Sequence, residues 1–151
     1  MITGVRIALD VGSVRIGVAK CDRDGLLATP LTTIPAGTKA IQTLLDLIQE
    51  HDAICVYVGK PVSLAGRDTT STLLAIDFAR ELKSALNQST IQVRLIDERL
   101  STVSAQRGMH EAGRNIKQSR DAIDQAAAVV ILDHALDSER HAGDLVGEEV
   151  S

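Results

Sequence analysis

The sequence predicts an α/β protein built on a five-stranded mixed sheet, three antiparallel strands followed by two parallel ones, with helices on both faces. Two observations carry this. Three strand-like runs follow one another closely at the start of the chain, separated only by turn residues. Two later apolar runs are each preceded by a stretch of helical periodicity, a crossover that brings a strand back parallel to its neighbour.

Taken in order, Val5 to Leu9 reads as a strand ending at Asp10, and Val11-Gly12-Ser13 as a turn. Val14 to Cys21 and Leu26 to Ile34 read as a second and third strand around the Asp24-Gly25 turn. Ala40, Ile41, Leu44, Leu45 and Ile48 recur at helical spacing. Ile54 to Val58, ending at Gly59, is a continuous apolar run of the kind that forms a buried strand. Ala75, Phe78, Ala79, Leu82 and Leu86 mark a second helix, and Ile91 to Ile96 a fifth strand ending at Asp97-Glu98. A weakly amphipathic helix is expected from Ser101, where the serine can cap it. The last helix is expected to begin near Ser119 or Asp121 and to fade by His141. One domain over residues 1–141 results, with 142–151 an acidic, flexible tail.

The bulk properties narrow the function without choosing it. The chain has 151 residues, 44% of them hydrophobic, which suits one core. With one Tyr, one Phe and no Trp, that core is aliphatic, and Tyr57 and Phe78 sit in apolar runs that place them within it. Scarce aromatics argue against a binder that stacks single-stranded bases on rings. The net charge is −4, but residues 133–151 hold six acids against Arg140 alone, while residues 1–132 hold fifteen bases against fourteen acids. A nearly neutral body leaves room for a local basic face. Residues 94–120, with Arg94, Arg99, Arg107, Arg114, Lys117 and Arg120, are the candidate, although charge alone favours an ordinary solvated surface. Cys21 and Cys55 lie in separate apolar runs without CxxC spacing, so buried free thiols are expected rather than a zinc site. No run suits a signal peptide or a bilayer span. The setting expected is soluble, reducing and cytoplasmic.

Three carboxylates stand out. Asp10 and Asp97-Glu98 end strands expected to run parallel, and ligands of such sheets bind beyond the carboxyl ends of their strands. Asp124 shares a helical face with Ala127, Ala128, Ile131 and Ala135, so it points toward the sheet. A carboxylate there is costly unless something pairs with it. Each has a plain structural explanation: a turn residue for Asp10, a surface ion pair with Arg94 or Arg99 for Glu98, a first-turn acid favoured by the helix dipole for Asp124. Together they put three like charges on one rim. Mg²⁺ or Mn²⁺, which prefer hard oxygen ligands, would relieve the repulsion and suit phosphodiester hydrolysis.

At these residues the chain resembles the YqgF (RuvX-like) family. Asp10-Val-Gly-Ser-Val-Arg-Ile-Gly-Val-Ala19 resembles its DxGxxRxGxA opening, and Val58-Gly-Lys-Pro-Val-Ser-Leu-Ala-Gly-Arg67 its VGLP…G segment. Asp97-Glu-Arg-Leu-Ser-Thr102 is similar to its DERLST block, and Ile123-Asp-Gln-Ala-Ala127 to its final D..AA helix. The blocks fall in the family's order, from about residue 4 to residue 136. DERLST is specific; DxGxxxxG is shared with actin-like ATPases and sugar kinases.

The resemblance implies a ribonuclease H-like fold and a nuclease that matures the 5′ end of pre-16S ribosomal RNA in ribosome biogenesis. An older family reading is a Holliday junction resolvase acting on branched DNA. It implies that Asp10, Glu98 and Asp124 are the catalytic, metal-binding acids, with Asp97 competing for the place of Glu98, and makes Arg15, Arg67 and Arg99 candidates for phosphate contacts, with ordinary surface charge the equal alternative. Lys60 departs from the family's Leu and is either a further phosphate contact or a solvent-facing exchange. The protein would be a monomer or a homodimer. A non-catalytic RNA-binding assembly factor and an actin-like nucleotide binder are the remaining alternatives; the latter needs two such domains, and this chain has room for one.

Overall fold

The computed structural model of the chain describes residues 2–62, 65, 67–98 and 116–151. Strands β1 (Val5–Val11), β2 (Arg15–Cys21) and β3 (Ala28–Pro35) are followed by helix α1 (Ala40–His51), β4 (Ala53–Lys60), α2 (Thr70–Ala85), β5 (Gln92–Asp97), α3 (Ile116–Ala142) and a two-residue strand β6 (Glu148–Glu149). The sheet order is β3-β2-β1-β4-β5-β6. As expected, β2 is antiparallel to both β1 and β3, while β4 is parallel to both β1 and β5. The expected helix from Ser101 lies outside the described residues.

Strand alternation divides the core in two. Ile7, Leu9, Val56, Val58, Val93 and Leu95 point to one face and pack with Leu44 and Ile48 of α1 and Ala75, Ala79 and Leu82 of α2. Ala8, Ala19, Cys55, Tyr57 and Ile96 point to the other and meet Ala127, Ala128, Ile131, Leu132 and Ala135 of α3. Small residues dominate this second face, so α3 lies close on the strands. Tyr57 is fully buried, Phe78 is half-buried against the first cluster, and both cysteines are buried free thiols.

Two expectations are corrected here. Among the described residues the sheet has six strands, because Glu148 and Glu149 pair antiparallel with Leu95 and Arg94. Residues 142–151 therefore do not all fray. Val150 is buried and its amide donates to the Val93 carbonyl; the Val146 amide donates to the Tyr57 hydroxyl; Arg94 donates to the carbonyls of Val146 and Gly147. The segment covers the edge of β5, which would otherwise present unpaired backbone groups. In addition, α3 begins at Ile116, which puts Asp124 more than two turns inside the helix. The helix dipole and the first-turn amides do not reach that far, so neither accounts for its carboxylate. Among the described residues no helix is long and apolar enough to cross a membrane.

Candidate active site

The site forms where β1, β4 and β5 end and β2 begins, beneath α3. Asp10 follows Arg6 and Ala8 on the helix-facing side of β1 and is 7% exposed. Its register partner on β2 is Gly17, and the partner of Gly17 on β3 is Thr33. Helix α3 crosses this row directly over Gly17, where an added methyl would overlap the carbonyl of Asp124 and lie 3.0 Å from its Cβ. The missing side chain at Gly17 thus lets the helix backbone descend onto the sheet beside Asp10. Thr33 fixes the helix laterally: its hydroxyl donates to the Asp121 carbonyl at 3.2 Å and accepts from Gln125 Nε2 at 3.0 Å.

A second glycine does the same for Glu98. Gly59 pairs with Ile96 on β5 and shares the helix-facing side with Tyr57 and Cys55. A methyl on Gly59 would stand 2.5 Å from Ile131 Cδ1 and 3.1 Å from the carboxyl carbon of Glu98. Glu98 therefore lies over Gly59, on the side Asp10 faces. Asp97, one residue earlier, is the register partner of Lys60 and lines a cleft of about 300 Å³ at the sheet edge with Lys60, His134 and Glu148. Of the two residues whose alternation the sequence left open, Glu98 is the one that lies over Gly59, on the α3 side of the sheet.

The carboxylate of Asp124 is paired. Arg15, at the start of β2, donates from Nε to Asp124 Oδ2 at 2.9 Å, and the same nitrogen is 4.0 Å from Asp121 Oδ1. The need for a partner that the apolar face of α3 imposes is met by this guanidinium. Among the described residues no three carboxylate, imidazole or thiolate side chains are grouped closely enough to hold a metal ion as they stand. The donor set nonetheless fits one. Three carboxylates lie on the α3 side of the sheet, at the end of β1, just past β5 and within α3, and oxygen donors of this kind suit Mg²⁺ or Mn²⁺. Of the remaining cations, Lys60 lies 3.7 Å from Glu148 of the C-terminal segment, Arg67 is exposed, and Arg99 lies outside the described residues, as do Ser101 and Thr102.

A buried polar cluster at the opposite end of the sheet was not anticipated from the sequence. Arg6 and Glu139 are 3% and 5% exposed and form an ion pair at 2.7 Å. Tyr57 donates its hydroxyl to the other Glu139 oxygen at 2.5 Å, and Arg6 Nη1 donates to the Gly4 carbonyl at 2.6 Å. A cavity of about 360 Å³ beside it is lined by Arg6, Gly25, Leu26, Leu136, Glu139 and Arg140. The cluster joins β1, β4 and α3 and lies at the start of β1, away from Asp10. Its signal was available: Arg6 has the parity of Ala8 and Asp10, and Glu139 continues the stripe of Asp124, Ala128, Ile131 and Ala135.

A family model described as "RuvX: Holliday junction resolvase" matches residues 4–138. A protein of Clavibacter sepedonicus named "Putative pre-16S rRNA nuclease" is 48% identical over 146 residues, covering 95% of this chain and 89% of its own length. Proteins with the same name from Streptomyces avermitilis and Mycobacterium ulcerans are 45% and 51% identical, covering 97% and 91% of this chain and 94% and 81% of their own. Among solved structures, Thermus thermophilus RuvC in complex with a Holliday junction substrate superposes with a TM-score of 0.57 at 12% identity, covering 97% of this chain and 99% of its own. At that identity the likeness is one of fold, and it is the ribonuclease H-like fold expected.

Proposed function

The chain belongs to the RuvX family, and on that premise we propose that it is a cytoplasmic nuclease that hydrolyses RNA phosphodiester bonds in 5′-end processing of pre-16S rRNA, using a divalent ion held by Asp10, Glu98 and Asp124. The observation that carries this reading is the pair of glycines: Gly17 and Gly59 each leave out a side chain where Asp124 and Glu98 approach the strands beside Asp10. When bound, Mg²⁺ or Mn²⁺ would activate a water and stabilise the leaving oxygen. The chain's own part is to present three carboxylate arms from a strand, a strand end and a helix whose backbones are fixed by packing. Asp10, nearly buried, sets the floor of the site. Arg15, Lys60, Arg67 and Arg99 carry the positive charge that receives the phosphate backbone.

The test is cleavage of a pre-16S-like RNA by purified protein with Mg²⁺ or Mn²⁺. Asp10→Asn should abolish cleavage while leaving the melting temperature within a few degrees of wild type. Cleavage that persists in the mutant or in chelator refutes the assignment. Retained RNA binding with no cleavage by the wild type would point instead to a non-catalytic assembly factor.

The family description and the junction-bound fold neighbour favour one second reading, a four-way-junction resolvase. Two symmetric cuts need two active sites. A monomer in solution that leaves a four-way junction intact while cutting RNA removes that reading.

A further inference from the structure

We propose that Arg15 is a positioning residue that competes with the divalent ion for Asp124, holding this carboxylate until the ion takes it and then turning to the substrate phosphate. This rests on the reading of Asp10, Glu98 and Asp124 as the metal-binding acids.

Three observations carry it. Arg15 engages Asp124 through Nε alone, at 2.9 Å, and among the described residues its two terminal nitrogens have no hydrogen-bond partner. Its side chain is 31% exposed, against 16% for Asp124, so the guanidinium forms the outer member of the pair. The three acids lie on the α3 side of the sheet, yet among the described residues no group of three stands close enough to hold an ion. What moves between the two arrangements is a side-chain rotation. The backbone at Asp124 is seated on Gly17 and tied to Thr33, so the helix itself cannot swing the carboxylate across.

The chemistry favours exchange of partners. A guanidinium and a divalent cation both seek the Asp124 carboxylate, and two such cations repel at short range. Once displaced, the planar fork of Arg15 matches a phosphate as well as a carboxylate. In the absence of the ion, the same pairing removes the cost of an ionised carboxylate against an apolar helix face.

The direct measurement is Mn²⁺ binding without RNA, followed by the loss of the free-ion electron paramagnetic resonance signal. Three variants are compared with wild type: Arg15→Ala, Arg15→Lys and Asp124→Asn. Competition predicts that Arg15→Ala binds Mn²⁺ about fivefold more tightly, the worth of a partly buried ion pair. Arg15→Lys, which keeps the charge but loses the fork, should fall between Arg15→Ala and wild type. With Mn²⁺ and a cleavage-resistant RNA, Arg15→Ala should weaken RNA binding several-fold, whereas in chelator, where Arg15 stays on Asp124, it should change RNA affinity by less than twofold; equal losses in both conditions overturn the exchange. If Asp124→Asn weakens Mn²⁺ binding but Arg15→Ala leaves it unchanged or weaker, competition is overturned and the metal site stands. If Asp124→Asn leaves Mn²⁺ binding unchanged, the metal site itself is overturned, and the competition with it. If Arg15→Ala is unfolded by circular dichroism, the Arg15→Lys affinity decides: a value at or below wild type overturns the proposal.

Discussion

Gly17→Ala offers a sharp separation of fold from function because its sign is informative. Gly17 is absent from the glycines with positive φ, so its backbone is one that alanine adopts freely. In an unobstructed position the exchange would stabilise the protein by roughly 0.4–1 kcal/mol through the unfolded chain. Here the new methyl would overlap the Asp124 carbonyl, inside the about 3.5 Å at which non-bonded atoms rest by more than an ångström, and the atoms it meets are backbone of a long helix. They cannot rotate away, so α3 must lift. Overpacking of this kind costs about 1–3 kcal/mol, and at this chain length each kcal/mol lowers Tm by roughly 2–4 °C. The lift also withdraws Asp124 from Asp10, so activity should drop further than the lost stability accounts for. The assay pairs a thermal melt with cleavage measured well below the melting temperature, where the mutant is folded. A Tm at or above wild type refutes the overlap. A lowered Tm with full cleavage refutes the claim that Gly17 sets the spacing of the acids.

Two further outcomes follow from the buried groups. Tyr57→Phe removes the donor to Glu139 Oε2 and the acceptor for the Val146 amide, and should cost about 1–3 kcal/mol in urea denaturation while speeding hydrogen exchange at Val146; a loss under about 0.5 kcal/mol would show that Glu139 does not need the hydroxyl. Burial pushes the Cys55 thiol up from an ordinary 9.0 to about 12, so its stabilising contribution is complete below pH 9 and is lost as pH rises toward 12, because the unfolded chain ionises first. Stability should fall by up to about 1.4 kcal/mol per pH unit in that window, and Cys55→Ala should flatten the fall that begins near pH 9; an unchanged slope in the variant removes Cys55 as its source.

Much of the site could be read from the sequence because strand and helix periods are strict. The apolar runs of β1, β4 and β5 and their polar ends located the rim, and the stripe below Asp124 fixed which way that helix faces. The choice between Asp97 and Glu98 could not be made from the strand alone, since one register step reverses both side chains. What favours Glu98 is its place over Gly59, a relation that exists only across two paired strands. Arg15 was legible as a candidate but not as the partner of Asp124, 109 residues away. The start of α3 was placed too late because residues 116–120 have no apolar stripe, and the dipole argument failed with it. Glu139 was counted among the acids of the C-terminal end, and only its pairing with Arg6 shows it as core. Strand β6 has no strand-like residues at all; Tyr57, Arg94 and the burial of Val150 hold it in place.

Helix α3 is seated at two stations. Near its start, Asp124 rests on Gly17 and Asp121 on Thr33; fifteen residues further on, about 22 Å along the axis, Glu139 is gripped by Arg6 and Tyr57. A rod pinned at both points has no lever arm: it neither tilts about its far end nor slides by a turn without breaking a buried ion pair. On the proposed assignment of the acids, recognition at this rim falls to side-chain rotations such as that of Asp124 and to bending of the nucleic acid, so that a substrate whose backbone cannot deform would be turned away by stiffness, whatever its sequence.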